Sequence, residues 1–391
     1  MKLQEVCEVY SGYALKEFHD SDEGYPVIKI GNICSDGTLD LEKCQFTNDF
    51  VNEKYFSKKG DIYVALSGAT TGKIGIINTD EKYIINQRVG VVRKIDKAIP
   101  DQYIKYFLMN KTEKILEDAS GCAQPNISPK QIGQYEFPKL GYSEMDHISV
   151  ILDGISNVIA QRKQELQKFD DLIKARFVEL FGDPVLNSRE WPVCELSEYI
   201  QFLTSGSRGW AQYFTETGEY FITIKNVKNC RITLNDVQHI IPPDNAEAKR
   251  TRVKEGDLLI SITADLGRTG VVSKEIADHG GFINQHLTCI RLDQSAVRPL
   301  YVAYYMESDA GKSQFLSKNQ SAVKAGLNFN SINSLRLMVP PIELQDVFIA
   351  FVAQVDKSKF LRSIYCDRLH IFMEQIKTIL TPIGNYCFCR N

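Results

Sequence analysis

The sequence of 391 residues lacks the patterns that define membrane proteins, secreted proteins and disulfide scaffolds. No run of about 20 apolar residues could span a bilayer, and the opening Lys2-Leu3-Gln4-Glu5 lacks the apolar region of a signal peptide, so we expect a cytoplasmic protein with no membrane partner. The ten cysteines are scattered with no CxxC pair, which favours reduced thiols over a disulfide framework. A formal net charge of −3 excludes a general attraction to nucleic acid, so contacts with DNA would need local basic patches.

Catalytic motifs are also missing. Neither Pro-Pro pair, at Pro242-Pro243 and Pro340-Pro341, has the Asn/Asp-Pro-Pro-aromatic form of an adenine or cytosine methyltransferase loop. The run Gly68-Ala69-Thr70-Thr71-Gly72-Lys73 is one residue short of a phosphate loop, and Ile74 replaces the hydroxyl that would bind magnesium. The six histidines show no HxxxH or HxH spacing for zinc, and no Gly-x-Ser-x-Gly run indicates a hydrolase. We therefore predict no active site, metal or cofactor in this chain.

What the sequence does contain is a duplication. Gly60-Asp61-Ile62-Tyr63-Val64 is followed 196 residues later by Gly256-Asp257-Leu258-Leu259-Ile260, and Asn86-Gln87 is followed 198 residues later by Asn284-Gln285. Such a period is far longer than the roughly 20–50 residues of a solenoid repeat, so it indicates two copies of one domain. Two copies imply two similar sites.

Both copies have the pattern of a mixed α+β fold. Residues 1–140 alternate short strand-like runs with turns, and a helix is expected over residues 100–118. Residues 185–340 repeat this plan. The Asn-Gln pairs are placed inside strands, and further strands are expected at residues 25–33, 61–66, 73–78 and 90–93.

Two long amphipathic helices are predicted in the remaining segments, residues 141–184 and 341–391. Residues 143–181 contain no proline and have a heptad seam of Ile148, Leu152, Ile155, Ile159, Leu166, Phe169, Ile173 and Leu180, with Arg162 and Arg176 at two further positions. The second seam consists of Leu344, Phe348, Phe351, Val355, Arg362, Tyr365, Leu369, Phe372 and Ile376.

A helix of this length would span roughly 57 Å at about 1.5 Å per residue, and its apolar seam needs a partner. We predict that the two helices pair as an antiparallel coiled coil, which separates the two copies with pseudo-twofold symmetry. The alternative is that each helix packs only on its own domain.

Polar turns in matched places are candidate binding residues: residues 67–73 of the first copy correspond to residues 261–268 of the second, from Ser67 and Ser261 onward, and each run follows the strand that begins at Gly-Asp. Other polar residues of the two copies are further candidates. Lys and Arg can bind phosphates, while Asn, Gln, Arg and acidic side chains can read base edges. One scaffold with different loop residues could thus read two base sequences, although most polar turn residues are simply solvated. The candidate DNA-binding set is Lys16, Ser67, Thr70, Thr71, Lys73, Arg88, Gln124, Asn126, Lys130, Arg208, Lys225, Thr263, Asp265, Arg268, Gln285, His286, Lys318, Lys324 and Asn328.

These motifs together resemble the target-recognition domains of type I restriction-modification specificity subunits. The resemblance rests on the run from Gly60 through Lys73, on Ile85-Asn86-Gln87-Arg88, and on Gly326-Leu327-Asn328-Phe329 in the second copy. Ala175-Arg176-Phe177-Val178-Glu179-Leu180-Phe181-Gly182-Asp183-Pro184 is similar to the central conserved region of that family. The second long helix departs from the family pattern, since no Phe-Gly-Asp follows it.

The resemblance implies a non-catalytic DNA-recognition subunit. Each recognition domain would bind one half of a bipartite target in double-stranded DNA, and the helices would set the spacer and dock two methyltransferase (M) subunits. Those subunits would supply S-adenosylmethionine chemistry at adenine, and restriction/translocase (R) subunits would join them. Two alternatives stay open: a coiled-coil scaffold with paired protein-binding domains, and part of a fused restriction-methylation enzyme.

Overall fold

The computed structural model describes residues 1–119, 125–138, 140–319 and 326–378. The chain forms two compact units: unit 1 comprises Met1–Glu165 and Arg362–Asn391, and unit 2 comprises Leu166–Leu361. Each unit combines one β-rich copy of the repeat with parts of the two long helices. The two similar α+β domains expected from the sequence are therefore present.

Unit 1 is built on two sheets. Its strands are β1 Cys7–Ser11, β2 Tyr25–Ile28, β3 Gln45–Thr47, β4 Ile62–Ala65, β5 Ile74–Ile76, β6 Ile84–Ile85 and β7 Val89–Lys94. The larger sheet is antiparallel, with the order β1-β7-β4-β5, and the smaller has the order β3-β2-β6, in which β2 and β6 are parallel. The helices are α1 Asp101–Met109, α2 Thr112–Ala119, α3 Pro129–Gly133 and the long α4 Tyr142–Phe181, which continues into unit 2.

Unit 2 repeats this plan with additions. Its strands are β8 Val193–Glu195, β9 Ile200–Ser205, β10 Phe214–Thr215, β11 Glu219–Ile222, β12 Val227–Lys228, β13 Cys230–Ile232, β14 Gln238–Ile240, β15 Leu258–Ser261, β16 Thr269–Val271, β17 Gly281–Ile283, β18 Leu287–Leu292 and β19 Arg336–Met338. They form sheets of order β12-β13-β16-β15-β18-β9, β10-β14-β11-β17 and β19-β8. The helices are α5 Ala246–Thr251, α6 Lys274–His279, α7 Pro299–Glu307, α8 Asp309–Ser317, α9 Phe329–Asn333 and the long α10 Ile342–Lys377, which ends in unit 1.

The central strand of each main sheet is buried on both faces. In β4, Ile62 and Val64 contribute to one apolar core, whereas Tyr63 contributes to a second core. In β15, Leu258 and Leu259 are divided between two cores in the same way. Because successive side chains of a strand point to opposite faces, a strand with two buried faces has a continuous apolar run, as both Gly-Asp motifs do.

The Asp of each Gly-Asp motif forms a buried ion pair. The Asp61 carboxylate accepts hydrogen bonds from Arg93 Nε at 2.7 Å and from Arg93 Nη2 at 2.6 Å. In unit 2, Asp257 accepts from Arg291 Nε at 2.8 Å and from Arg291 Nη2 at 3.1 Å. Both Asp side chains are almost fully buried, so this motif holds each domain together and is not part of a surface site.

Several predicted elements are shorter than expected. The expected strand at residues 25–33 ends at Ile28 and is followed by a 3₁₀ turn at Ile30–Asn32. The expected helix over residues 100–118 is divided into α1 and α2, because the chain makes a tight turn in which the Lys111 N–H donates to Leu108 O. The Asn-Gln pairs are not inside strands: they form turns between β6 and β7 and between β17 and β18, where the Asn86 carboxamide accepts from the Arg88 N–H at 3.1 Å.

The long helices pair within each unit. In unit 1, Leu152 of α4 shares a core with Met373 of α10, and the Ser156 hydroxyl donates to Met373 Sδ at 3.7 Å. In unit 2, the rings of Phe177 and Phe348 lie 5.4 Å apart. Early residues of α4 thus contact late residues of α10, and late residues of α4 contact early ones, which confirms the antiparallel pairing. The alternative in which each helix packs only on its own domain is wrong.

Two residues of the seam predicted for α10 are wrong. Tyr365 and Phe372 were placed in the seam, but they are 62% and 50% exposed, whereas Cys366 and Met373 are 7% and 8% exposed. The observed seam is Val355, Lys359, Arg362, Cys366, Leu369, Met373 and Ile376. Arg362, Leu369 and Ile376 are in both the predicted and the observed seam, whereas Lys359 lies in the observed seam but not in the predicted one.

Ion pairs explain why the seam tolerates charge at its centre. In unit 2, Lys359 Nζ forms a salt bridge with Asp170 at 2.5 Å. In unit 1, Arg362 and Arg162 both form salt bridges with Glu165. The paired side chains stay partly exposed to solvent. Charged residues can therefore occupy seam positions without an unpaired charge being buried.

The corrected seam predicts different results for two neighbouring substitutions. Met373→Glu places a carboxylate in the core of unit 1 without a partner and should lower the free energy of unfolding by about 3 kcal/mol. Phe372→Glu changes an exposed residue one position earlier and should alter it by less than about 0.5 kcal/mol. Urea unfolding of the full chain, followed by circular dichroism, measures both. Equal losses for the two variants would contradict the observed seam.

Candidate nucleic-acid interface

In unit 1, backbone hydrogen bonds bring several loops together at one end of the sheets. The parallel strands β2 and β6 end side by side, and the Asn86 N–H donates to Ile28 O at 3.0 Å. Next along the turn, the Gln87 N–H donates to Tyr13 O at 2.8 Å. The Leu66 N–H donates to Arg88 O at 2.9 Å, which joins the loop after β4 to the same turn.

A fifth segment completes this group. The Ile127 N–H donates to Leu66 O at 2.9 Å, and Ser67 pairs with Asn126 in an isolated antiparallel bridge. We call residues 12–14, 29–32, 67–73, 86–88 and 125–128 the first edge. Its loops converge although the first and the last are more than 100 residues apart in sequence, because the bonds join backbone atoms of neighbouring segments.

Unit 2 repeats these bonds. The Asn284 N–H donates to Ile222 O and the Gln285 N–H to Ser207 O, both at 3.0 Å. The Ile262 N–H donates to His286 O at 3.0 Å, and the Leu327 N–H donates to Ile262 O at 2.9 Å. We call residues 206–209, 223–226, 263–268, 284–286 and 326–328 the second edge. The two edges have the same backbone connections in the same order.

This correspondence corrects the loop comparison made from the sequence. Ser67 was matched to Ser261, but the bridge partners show that Thr263 is the equivalent of Ser67. Ser261 is fully buried and lies at the end of β15. The loop of the second edge is one residue shorter, and Lys73 and Arg268 are equivalent because the Ala65 N–H donates to Lys73 O and the Ser261 N–H to Arg268 O.

A glycine is required where two of these segments cross. An added Cβ at Gly12 would lie 2.3 Å from Ile85 O, and one at Gly206 would lie 2.1 Å from Asn284 O. Both distances are far shorter than any contact between carbon and oxygen that is not bonded. Position 12 and its equivalent, position 206, are therefore restricted to glycine.

The first edge carries cations without acidic partners. Within the described ranges, Lys73 and Arg88 form no salt bridge, and the same holds for Lys16 and Lys130, which flank the edge. Asn126 is exposed and Ser67 is half-buried. Lysine and arginine without a carboxylate nearby are the groups that bind phosphate.

Two threonines of the loop at residues 67–73 have buried side-chain atoms. The Thr71 side chain is buried, and its hydroxyl donates to Gly68 O at 2.7 Å, so it closes the loop from inside. Thr70 Oγ1 is buried and has no hydrogen-bond partner among the described residues. Sequence reasoning could not distinguish these hydroxyls from exposed ones, because burial of a turn residue depends on the chain around it.

The side chains of the second edge are bonded to one another. Arg268 forms a salt bridge with Asp265, and Arg208 Nε donates to Gln285 Oε1. His286 contacts both Gln285 and Thr263 through its two ring nitrogens. Lys225 is exposed in the 3₁₀ turn at Ile224–Asn226. Six of the predicted residues of this edge are thus bonded in two groups, Arg268 with Asp265 and Arg208 with Gln285, His286 and Thr263, in contrast to the separate cations of the first edge.

The other predicted residues have different positions. Lys318 Nζ donates to Ser334 Oγ at 2.7 Å, and the Asn328 carboxamide caps α9 by accepting from the Ser331 N–H at 2.8 Å. Both side chains therefore take part in local structure. Gln124 and Lys324 lie outside the described residues. A contact of any of the predicted residues with DNA stays a prediction.

Lys29 was missed by the sequence reasoning. Its Nζ lies 3.3 Å from the centre of the Phe18 ring and donates to Gln45 Oε1, and partial burial lowers its pKa. It lies in the first edge directly after β2. The signal was available: Ile28-Lys29-Ile30-Gly31-Asn32 aligns with Ile222-Thr223-Ile224-Lys225-Asn226, and Lys225 was selected from the second run.

The chemistry of both edges is hydrogen bonding and charge. In the described ranges, no group of three or more His, Cys, Asp or Glu side chains could hold a metal ion. Arg, Lys and Thr side chains present donors, which match phosphate oxygens and the acceptor atoms of base edges. No helix in the described part of the chain is long and apolar enough to cross a membrane.

The fold and its two edges define a protein with two copies of one recognition domain, and comparisons of sequence identify the family. A family model for the type I restriction modification DNA specificity domain matches residues 1–168 and again residues 189–362. The chain is 19% identical over 382 residues to the type I restriction enzyme EcoBI specificity subunit of Escherichia coli, which covers 91% of this chain and 78% of that protein. It is 28% identical over 179 residues to the MjaVIII specificity subunit of Methanocaldococcus jannaschii, covering 44% of this chain and 42% of that one.

Solved structures share the fold. The S subunit of a type I restriction-modification system from M. genitalium superposes with a TM-score of 0.56 at 14% identity, covering 98% of this chain and 96% of that chain. A chain from another solved type I system gives a TM-score of 0.53 at 15% identity, with 97% and 96% coverage.

The chain belongs to the type I restriction modification DNA specificity family. It is a DNA-sequence recognition subunit of a type I restriction-modification system, and this family is non-catalytic. Its partners in general are DNA and the methyltransferase and restriction subunits of such a system.

The close approach of two segments at Gly12 predicts that one added methyl group destabilises the protein. Gly12→Ala should lower the free energy of unfolding by about 1–3 kcal/mol, because the backbone carbonyls of Ile85 and Asn86 must move. Gly31→Ala is the matched control in the same edge, since no described atom lies within 4 Å of its added Cβ. Urea unfolding of the full chain compares them, and a Gly12→Ala variant as stable as Gly31→Ala would contradict the crossing.

Proposed function

We propose that the first edge and the second edge each read one half of a bipartite target in double-stranded DNA. The observation that carries the proposal is that the two edges share one set of backbone hydrogen bonds but differ in their side chains. Loops on a rigid scaffold are common places for binding residues, and a repeated scaffold with changed loops is suited to two different half-sites.

The differences occur at structurally equivalent positions. Ala14 in the first edge corresponds to Arg208 in the second, because each follows the residue that bonds to the Asn-Gln turn. Arg88 corresponds to His286 by the same criterion. Side chains at these positions differ in charge, size and hydrogen-bonding groups, so the two half-sites should differ in sequence.

The charges of the two edges support different contributions to affinity. Lys73 and Arg88 of the first edge form no salt bridge with the described residues, so each can neutralise a phosphate, which releases counterions and makes binding dependent on salt. In the second edge, Arg268 is already paired with Asp265. To neutralise a phosphate, Arg268 must give up part of its bond to Asp265, so it should contribute less to the salt dependence than Lys73, its equivalent in the first edge.

We assign the spacer and subunit docking to the long helices. A helix has a fixed rise per residue, and α4 is continuous over 40 residues. In unit 1, Tyr365 and Phe372 of α10 are exposed, and in unit 2, Phe360 is 66% exposed. Exposed aromatic residues of this kind fit protein partners, and the proposed partners are two methyltransferase subunits, with restriction/translocase subunits joining them. The complex would act in the cytoplasm, where its duplex target lies.

A domain exchange tests the proposal. Residues 1–140 are replaced by the equivalent segment of another family member, and the full chain is assembled with methyltransferase subunits that accept both parents. Single-molecule sequencing then maps methylated sites. One half of the bipartite motif should change, while the other half and the spacer stay the same. A change in both halves, or in neither, would contradict a separate reader in each unit.

If the first edge binds DNA, removing one of its cations should lower the affinity for one half-site only. Lys73→Ala should weaken binding of duplexes through the half-site of unit 1 only, and it should reduce the slope of log K against log salt concentration by about one. Lys97→Ala is the control, because Lys97 is an exposed lysine that follows the opposite end of β7. Titrations at several salt concentrations measure both slopes, and equal slopes for the two variants would remove Lys73 from the proposed interface.

A further inference from the structure

We propose that Arg208 reads a guanine in the half-site of unit 2, and that Gln285 and His286 hold it in position for that contact. This inference rests on the proposed function of the second edge and goes further by naming the base and the residue. It depends on the direction of the hydrogen bonds between these side chains and on the rigidity of the loop that carries Arg208.

The loop that carries Arg208 is anchored on both sides. Ser207 is 2% exposed, and its hydroxyl contacts Thr251 Oγ1 at 3.2 Å. Two residues after Arg208, Trp210 is 4% exposed, and its Nε1–H donates to Glu247 Oε2 at 3.3 Å. Arg208 itself is exposed. Because buried residues on both sides hold the backbone of Arg208 in place, less conformational entropy is lost when its side chain binds.

The chemistry of arginine sets the direction of every bond in the network. Arg208 can only donate, so Gln285 must present its carboxamide oxygen to Arg208 Nε, and its NH₂ group therefore points to His286. Gln285 Nε2 lies 3.3 Å from His286 Nε2, which must accept. The proton of the neutral ring is then on Nδ1, which donates to Thr263 Oγ1 at 2.7 Å. The Thr263 hydroxyl proton is left to donate outward.

The surface that results presents donors. Among the described residues, the two Nη groups of Arg208 have no hydrogen-bond partner, and they form the outer fork of a guanidinium held at Nε. In the major groove, guanine presents two neighbouring acceptors, O6 and N7, which match this fork. Adenine and cytosine each present an amino donor there, and two facing donors repel.

The equivalent positions of unit 1 lack this arrangement. Ala14 occupies the position of Arg208 and Arg88 that of His286, although Gln87 is retained at the position of Gln285. The retained glutamine provides a matched control for the same substitution in the two edges. The guanine contact should therefore belong to the second edge alone.

Selection from a pool of duplexes tests the inference. The full-length chain is mixed at low salt with double-stranded oligonucleotides randomised over the target length, and bound duplexes are sequenced. Arg208→Lys keeps the charge but loses the fork, so the preference for guanine at one position of one half-site should fall by about 5- to 150-fold, with the other half-site unchanged. Gln285→Ala should reduce the same preference, whereas Gln87→Ala should not.

The outcomes separate this inference from the proposed function. A loss of affinity that is equal for all sequences would show that Arg208 contacts a phosphate, and unchanged base preferences would show no contact; either result overturns the inference while the bipartite motif stands. A wild-type chain that selects no bipartite motif would contradict the proposed function and this inference together.

Discussion

The structure depends on one tight turn in each unit, at residues 86–88 and 284–286, to which the neighbouring loops are bonded through their backbones. Carbonyl and amide groups of the turn bond to the segment after Gly12 or Gly206, to the end of a parallel strand, and to the loop after the Gly-Asp strand. These bonds involve no side-chain atoms beyond the Asn carboxamide. Side chains of the loops can therefore change while the loops stay in place.

Stability and recognition are thus located in different parts of each unit. The buried Asp61–Arg93 and Asp257–Arg291 pairs and the strands with two buried faces stabilise the domain, and they are the same in both copies. The loops at the edges differ between copies. Solved structures share this fold at only 14–15% sequence identity. Such low identity is compatible with one stable fold, because apolar cores accept many combinations of residues of suitable volume.

Much of the architecture could be predicted because it follows from local pattern. The repeat of Gly-Asp and Asn-Gln indicated two domains, and the four-and-three spacing indicated two paired helices. Errors arose where a pattern had two interpretations. Asn86 follows apolar residues, as a strand residue does, but its side chain caps a turn. Lys359 interrupts the apolar rhythm, yet it lies in the seam because Asp170 neutralises it.

The candidate site was predictable only in part. The sequence by itself determined which residue types are present and which segments are repeated, because both are properties of the chain order. Only the tertiary structure decided that Thr71 is buried, that Ser67 is equivalent to Thr263, and that Arg208, Gln285, His286 and Thr263 form one network. The hydrogen bonds of that network join residues up to 77 positions apart, and they exist only once neighbouring strand ends have been brought together by folding.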